Sequence, residues 1–538
     1  MAKRSASPRQ RLQTALVERD VRAGFALLDD LFARKPWPGP LSEDGFAMIF
    51  SLAQWADLGY RDLEFFEKQL KPFRRCKRSG LRVSDYLALL LAEAYSLFAH
   101  GKATDAALLL ESLLRAHAEV LSPHEAFVAW FWKGRAHRIQ GAFDDALVSI
   151  RQAKQIAVDA RAERLVASAK IHESWLLFYR GERRLAFELL DQAERTLQPT
   201  GHALSLGNIA AARGRFHRSA GDYDRALSFF EQALQLYHSQ VPTHTNLARA
   251  LVNTAYVKRL QALTLQPSRG GKATAAVHAS VLQIVHEAME MLREAQSIYA
   301  AHQHYAGLGS VRIHMGHLHL ESGDIDAATV EADAAYSLGE ARNDVVMKAR
   351  ARILQAYVEM ARAEEQIDSP RSSGSPAQHA VELAEDALAL AQHTHNRRLV
   401  AAAHITRGLA ATDATQADWD VALRGASTAA ELLNREERDH LFNELNVLRK
   451  KIAQSQTLDH TWRRWVSGDM DGKTYGQIEE DFAAIIIPQV WMKLGQNITR
   501  VAQHLSISPK KVRRALRNAQ MITPSPTKTV KSSGRNGA

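Results

Sequence analysis

The chain has 538 residues, a formal net charge of +10 and one cysteine, Cys76. A single cysteine excludes an intramolecular disulfide framework and a multi-cysteine zinc site. The basic N-terminus lacks the apolar run of a secretory signal, and the longest apolar stretches, such as 87–92 and 482–488, are too short to cross a bilayer. We therefore expect a cytoplasmic protein that makes no membrane contact.

Residues 1–80 predict a degenerate helical N-terminal cap, because 9–34 and 45–70 carry the apolar spacing of helices. The strongly basic segment 71–82 follows and is expected to be a loop. It has two interpretations: a solvated connector, or a surface that binds an acidic partner or nucleic acid. The sequence does not decide between them.

Residues 81–435 contain a 40-residue repeat. Glycine recurs at a constant interval, an alanine follows five positions after each glycine, and a larger apolar residue follows four further on. These residues are Gly101, Gly141, Gly181 and Gly221, then Ala106, Ala146, Ala186 and Ala226, then Leu110, Ile150, Leu190 and Phe230. Small residues let two helices approach closely, and glycine turns the chain between them. The period therefore predicts stacked helical hairpins.

The register continues at Ala288, Leu292, Ala295 and Ala328, beyond an expected loop at 264–276, and a second loop is expected at 366–378. The stretch GDYDRALSFFEQAL, which begins at Gly221, resembles the second half of a tetratricopeptide repeat. The resemblance implies an all-α fold, a TPR-like superhelical solenoid of helical hairpins, and the helical segments along the chain give eight to ten hairpins. It also implies a protein, peptide or effector partner in the concave groove. Residues 436–481 are expected to form a terminal helix and a connector.

Residues 482–522 predict two short helices joined by a tight turn. Asn497 is placed to cap the first helix, and Ser508 followed by Pro509 is a typical start of the second. In the second helix Val512 and Leu516 lie four positions apart and are expected to face inward, whereas the basic residues fall on the other side. This pattern is typical of a helix-turn-helix whose second helix enters the major groove of DNA.

The stretch 497–517 resembles the C-terminal DNA-binding domain of the Fis family of bacterial regulators. Three positions depart from that family: Val501 replaces alanine, Ser506 replaces a turn glycine, and Lys511 replaces threonine at the front of the recognition helix. We expect DNA to be bound by polar and basic residues of both helices, namely Asn497, Thr499, Arg500, Ser508, Lys510, Lys511, Arg513, Arg514 and Arg517.

The excess positive charge lies in this same region. Residues 482–538 hold ten Lys and Arg residues and no Asp or Glu, so residues 1–481 carry 59 basic and 59 acidic groups. Seven of the ten lie in 493–517, which favours a nucleic-acid surface. The other three lie in 523–538, which we expect to be a disordered basic tail.

The helix before the turn has an apolar face with two interpretations. Ile478, Phe482, Ile485, Ile486 and Val490 would form either a homodimer contact through 478–494 or an intramolecular core. Pro488 is expected to kink or split this helix.

Catalytic and metal patterns are weak. His314, His317 and His319 do not share one helix face, and SRGGKAT lacks the spacing of a phosphate loop. We therefore expect no enzyme activity, no cofactor and no metal. The sequence predicts a DNA-binding transcriptional regulator with a sensing solenoid. The alternative is a non-enzymatic adaptor whose basic C-terminal domain docks an acidic partner or RNA.

Overall fold

The structure is a computed structural model. It describes residues 7–34, 37–265, 275–366, 376–394, 396–413, 417–433, 438–455, 474–518 and 521–522. Every regular element in these residues is helical, which confirms the all-α prediction. The chain divides into two compact units, which we call the solenoid (1–449) and the terminal unit (450–538). The predicted basic tail at 523–538 lies outside the described residues.

The solenoid contains ten successive helix pairs in its described part. Its helices are α1 Pro8–Val17, α2 Val21–Arg34, α3 Gly45–Asp57, α4 Leu63–Arg74, α5 Val83–Ala99, α6 Ala103–His117, α7 Pro123–Gln140, α8 Phe143–Asp159, α9 Glu163–Tyr179, α10 Arg183–Leu197, α11 Ala203–Ser219, α12 Tyr223–Gln240, α13 Thr245–Leu265, α14 Ala275–Ala301, α15 Tyr305–Glu321, α16 Ile325–Ala341, α17 Val345–Gln366, α18 Pro376–Gln392, α19 Arg397–Asp413 and α20 Trp419–Leu432, followed by α21 His440–Ser455, which crosses the unit boundary.

The repeat period corresponds to one hairpin. Helices α7, α9 and α11 begin at 123, 163 and 203, and their partners α8, α10 and α12 begin at 143, 183 and 223. The four repeat glycines follow the preceding helices with φ between 78° and 88°, a backbone conformation that glycine adopts without a side-chain clash. The four alanines that follow them are completely buried. The predicted hairpins and their turns are therefore confirmed.

Small residues bring the two helices of a pair into close contact. A Cβ atom built on Gly134 of α7 would lie 2.8 Å from Cγ1 of Ile150 on α8. On Gly214 of α11 it would lie 2.8 Å from Cδ1 of Phe230 on α12. Both distances are below van der Waals contact, so these glycines set the separation of each pair.

The N-terminal region contains four helices, α1 to α4, packed around fully buried Trp55, Phe66 and Phe73. The expected loop at 71–82 is only partly a loop, because α4 extends to Arg74 and a 3₁₀ turn spans Arg78–Gly80. Several basic side chains of this segment pair with carboxylates: Arg74 with Glu67, Arg78 with Glu93 and Arg82 with Asp85. This pairing favours the connector interpretation over a free basic surface.

Long-range contacts close a turn of the superhelix. Nε2 of His244, at the start of α13, lies 3.3 Å from the carbonyl oxygen of Asp57 at the end of α3. An Arg164 guanidinium N–H of α9 donates to the Glu18 carbonyl at 2.6 Å. The Arg438 N–H donates to the Ser219 carbonyl at 3.1 Å. Because these contacts join segments that are distant along the chain, the concave side of the solenoid becomes a walled cavity.

Three helices lie entirely within the described part of the terminal unit: α22 Tyr475–Lys493, α23 Ile498–His504 and α24 Pro509–Asn518. Its core joins all three helices through Ile487 and Trp491 of α22, Val501 of α23, and Val512 and Leu516 of α24. The predicted inward face of the second helix is confirmed, since Val512 and Leu516 are completely buried.

The expected split of the helix at Pro488 is wrong, whereas the alternative, a kink, stays a prediction. Helix α22 continues through Pro488 to Lys493 without interruption. Proline removes one backbone donor, and the burial of Ile487 and Trp491 on either side holds the helical path. Within the described residues, no helix combines the length and the apolarity that a membrane span requires.

Candidate functional site

Local hydrogen bonds fix the starts of α23 and α24. The Asn497 side chain accepts from the N–H groups of Thr499 and Arg500 at 3.0 and 3.1 Å. The Ser508 hydroxyl accepts from the Lys511 N–H at 3.2 Å. Both residues therefore act as helix caps. Ser506, where the Fis family has glycine, has φ of 53°, so this non-glycine residue occupies the left-handed region.

The outer side of the terminal unit exposes several of the predicted binding residues. Thr499, Arg500, Lys510, Arg513 and Arg517 are all exposed. Arg513 and Arg517 lie one turn apart on α24, and Lys510 lies at the start of that helix. Opposite them, Val512 and Leu516 face the core. The terminal unit therefore has an exposed basic face on α24, and the apolar face of this short helix packs in the core.

Two other predicted residues have acidic partners. The Lys511 ammonium lies 2.5 Å from Oε1 of Glu479 on α22, and the Arg514 guanidinium pairs with Glu480. All four side chains are at least one-third exposed, so each pair stabilises the unit by less than about 1 kcal/mol. Sequence spacing alone did not predict these pairs, because the partners lie on different helices and are distant along the chain.

The apolar residues of α22 divide between the two interpretations offered by the sequence. Val490 packs against the core of the terminal unit, alongside Ile487 and Trp491. Phe482 and Met492 remain exposed, at 36% and 56%. The side chains of Ile478 and Ile485 lie outside the described residues. The homodimer through 478–494 stays a prediction.

The second candidate site is the solenoid cavity, with a volume of about 1440 Å³. Residues from α1 to the end of α18 line it, including arginines, histidines, asparagines and aromatic side chains. A typical small-molecule pocket has a volume of roughly 300–1,000 Å³. The cavity therefore has room for a ligand larger than a typical metabolite.

One side of the cavity carries a paired charge. Asp57 accepts from Arg135 Nη1 at 2.5 Å and from Trp132 Nε1 at 3.0 Å. Burial alone would raise the pKa of Asp57, but the charge and hydrogen bond of Arg135 and the hydrogen bond of Trp132 lower it below its usual value. This carboxylate is therefore ionised and joins the N-terminal helices to α7.

A different part of the cavity contains Arg138, Arg215 and Arg249, which we call the arginine cluster. Among the described residues, no carboxylate lies within ion-pair distance of these three guanidinium groups. Their partners are neutral: Arg138 and Arg215 lie 4.7 and 5.8 Å from the Trp175 ring centroid. Arg249 donates to the Asn246 amide oxygen at 3.1 Å. The Nε atoms of Arg138 and Arg215 are buried without a hydrogen-bond partner in the described part of the chain.

The pKa values reflect this concentration of charge. Burial, followed by the charges of Arg249 and Arg215, lowers the pKa of Arg138 to about 9. Burial, and to a lesser extent Arg249, lowers the pKa of Arg215 to about 10. His172 lies in the same cavity, and burial with the nearby arginine charges holds its pKa well below its ordinary value. At neutral pH this part of the cavity therefore contains cations without nearby anions, and a neutral imidazole.

The repeat period carried a signal for this cluster that the sequence interpretation missed. Arg135, Trp175 and Arg215 occupy equivalent positions of α7, α9 and α11, and all three line the cavity. This set recurs at the interval of the repeat glycines. Polar or aromatic residues at positions where a repeat would tolerate apolar ones indicate the lining of a groove.

The histidine and cysteine candidates have structural surroundings. Burial keeps the pKa values of His314 and His317 well below the ordinary value. The described residues contain no group of three or more His, Cys, Asp or Glu side chains that could hold a metal ion. Cys76 is half-buried, and its Sγ lies 3.7 Å from the Pro72 carbonyl oxygen.

The model of the tetratricopeptide repeat family matches residues 208–238, which include parts of α11 and α12. A comparison with curated proteins finds no match. Together with the stacked hairpins, the repeat match shows that the described part of the solenoid has a TPR-like fold.

Solved structures of similar shape include a Rap protein complexed with competence and sporulation factor, at 12% identity and a TM-score of 0.46, covering 76% of this chain and 99% of that chain. The apo form of the quorum sensor NprR from B. thuringiensis has 10% identity and a TM-score of 0.45, covering 70% and 97%. The human IFIT1 dimer with m7Gppp-AAAA has 12% identity and a TM-score of 0.45, covering 85% and 91%.

Proposed function

We propose that the chain is a DNA-binding transcriptional regulator: the terminal unit binds duplex DNA and the solenoid binds an effector in its cavity. The observation that carries the DNA-binding part is the exposed basic face of α24, with Lys510, Arg513 and Arg517 opposite a buried Val512 and Leu516. A short helix anchored on one side and basic on the other is suited to the major groove.

The arrangement supplies the two kinds of contact that DNA recognition needs. Arg500 and the capped start of α23 are suited to phosphate contacts, which position the unit. Arg513 and Arg517 are suited to bidentate hydrogen bonds with guanine O6 and N7. Lys511 and Arg514 join them only when they leave their carboxylate partners on α22. Because those pairs are exposed and weak, DNA phosphates replace them at small cost.

Duplex binding by the intact protein tests this proposal. We expect Arg513→Gln to weaken binding, measured by fluorescence anisotropy, by roughly tenfold or more. Arg115→Gln is the matched control, because Arg115 is an exposed arginine on a solenoid helix. Glu479→Gln and Glu480→Gln are expected to strengthen binding by releasing Lys511 and Arg514. Equal affinities of all four variants would contradict the proposal.

The second candidate is an adaptor whose basic helix docks an acidic partner. The observation that favours it is the pairing of Lys511 and Arg514 with carboxylates, since the same contacts can be made by an acidic protein surface. Competition between duplex DNA, RNA and an acidic peptide for the intact chain separates the candidates. Preferential displacement by the peptide would favour the adaptor, and preferential displacement by RNA would favour an RNA-binding protein.

A further inference from the structure

We propose that the arginine cluster is the binding site for an anionic group, a carboxylate or a phosphate, on a ligand whose remaining body is largely uncharged. This inference rests on the proposed sensing role of the solenoid, whose effector it assigns to a chemical class. It does not depend on DNA binding by the terminal unit.

The first argument is the contrast with other arginines of the solenoid. Arg135 pairs with an aspartate, Arg213 with an aspartate and a glutamate, and Arg259 with a glutamate. Burial of a cation is costly unless an anion or hydrogen bonds compensate it. The arginine cluster has neutral partners instead, among them the Trp175 ring and the Asn246 amide oxygen. These partners orient the guanidinium groups but do not neutralise their positive charge.

The second argument is preorganisation. The Arg138 and Arg215 guanidinium groups both border the Trp175 ring, which also packs against Tyr179 at 4.2 Å between centroids. Asn246 is held in turn, because its Nδ2 donates to the Asn208 oxygen, which also accepts from Tyr237. Guanidinium groups fixed in this way lose little freedom when they bind a carboxylate or phosphate. A carboxylate or phosphate accepts strong, charge-assisted hydrogen bonds from guanidinium N–H groups.

The third argument concerns the rest of the ligand. Four aspartates, Asp57, Asp62, Asp105 and Asp344, line the same cavity. Nine Arg and Lys residues line it as well, so the carboxylates alone do not exclude a nucleic-acid strand, and RNA is kept as an outcome of the test. The apolar lining, which includes Phe127, Val128 and Met347, suits an uncharged body.

Titration of the full-length protein with small anions tests the site. We use inorganic phosphate in one arm and acetate in the other, at constant ionic strength set by chloride, and record tryptophan fluorescence and Tm. A saturable change with either anion supports the site, and the anion that binds more tightly identifies the natural group. An anion that binds only the folded state raises Tm. The Trp175→Phe variant is expected to lose the fluorescence change.

Variants locate the binding. We expect Arg138→Gln and Arg215→Gln each to lower the affinity for the anion roughly tenfold to hundredfold, the usual loss for a hydrogen bond to a charged group. Arg213→Gln is the matched control on the same helix as Arg215, because its guanidinium is held by two carboxylates. Arg215→Lys, which keeps the charge, is expected to retain weaker binding and guards against a folding defect in the glutamine variant.

Three results would overturn the inference. They are the absence of saturation with both anions, equal binding by Arg215→Gln and Arg213→Gln, and tighter binding of a single-stranded RNA than of either small anion with the same dependence on Arg138 and Arg215. Duplex binding, compared between the wild type and Arg513→Gln, is measured separately from anion binding. If the protein binds duplex DNA but neither anion, only the anion site is refuted. If it binds an anion but no duplex DNA, only the DNA-binding proposal is refuted.

Discussion

Two arginines one turn apart on α7 are expected to differ in how much the same substitution destabilises the protein. Arg135 donates to the buried Asp57 carboxylate, whereas Arg138 lies over Trp175 without a carboxylate partner in the described residues. Replacing each by glutamine removes one charge and keeps most of the side-chain volume. The difference between the two variants therefore measures whether an arginine of this cavity serves the fold or a ligand.

The magnitudes follow from the contacts. In Arg135→Gln, Asp57 keeps only its Trp132 hydrogen bond, and its side chain is 15% exposed. Breaking such a pair costs about 3 kcal/mol in the free energy of unfolding. In Arg138→Gln, the loss of the Trp175 contact costs about 0.5–1 kcal/mol. Relief of burial and of repulsion from Arg215 and Arg249 offsets that loss, so the net change is below about 1 kcal/mol.

Urea denaturation followed by circular dichroism, in chloride buffer without phosphate or carboxylate anions, checks this prediction. We expect Arg135→Gln to unfold at a clearly lower urea concentration and Arg138→Gln to unfold close to the wild type or above it. Equal destabilisation of about 3 kcal/mol by both substitutions would show that Arg138 has a structural role. That result would refute the argument that the charge of Arg138 serves to bind a ligand.

Three further predictions concern pH, packing and the turn. Burial and the Arg19 charge lower the pKa of His124 to about 4; because the unfolded value is about 6.5, protons bind preferentially to the unfolded chain between these values. The contribution of this group to stability is therefore fully present above about pH 6.5 and is lost toward pH 4, by up to about 1.4 kcal/mol per pH unit. His124→Gln should flatten the dependence of Tm on pH. An equal slope in the variant and the wild type would refute this prediction. Gly214→Val should cost about 2 kcal/mol by clashing with Phe230, whereas Gly80→Ala, with open space around it, should have little effect on urea unfolding. Ser506→Gly should remove the strain of the positive φ and stabilise the terminal unit by about 1 kcal/mol. If α24 opens together with this unit, its amide hydrogen exchange slows about fivefold. Unchanged exchange would show that Ser506 is not strained.

Local chemistry explains which features the sequence could predict. The start of α23 depends on Asn497 and two neighbouring N–H groups, so the residue order alone indicates it. The hairpin turns depend on one glycine in each repeat, and the buried face of α24 follows from the spacing of Val512 and Leu516. Each of these signals lies within one or two turns of chain.

The arginine cluster could not be located in the same way, because it forms only when α7, α9, α11 and α13 stack. Whether Arg138 is paired depends on which side chains the superhelix brings near it, and the sequence does not state those distances. The same reason applies to the Lys511–Glu479 pair, which joins two helices separated by α23. The path of α22 through Pro488 depends on burial of its neighbours, which also requires tertiary structure.

The dependence of duplex binding on salt tests the central claim, DNA recognition by the terminal unit, most directly. If Arg500, Lys510 and other basic residues of this unit neutralise several phosphates, log K falls linearly with log salt concentration, with a slope of about −0.9 for each phosphate. We predict a slope of about −3 or steeper for the intact protein, reduced by about one in Lys510→Gln if that residue contacts phosphate. A flat salt response, or the same slope after deletion of residues 482–538, would contradict the account.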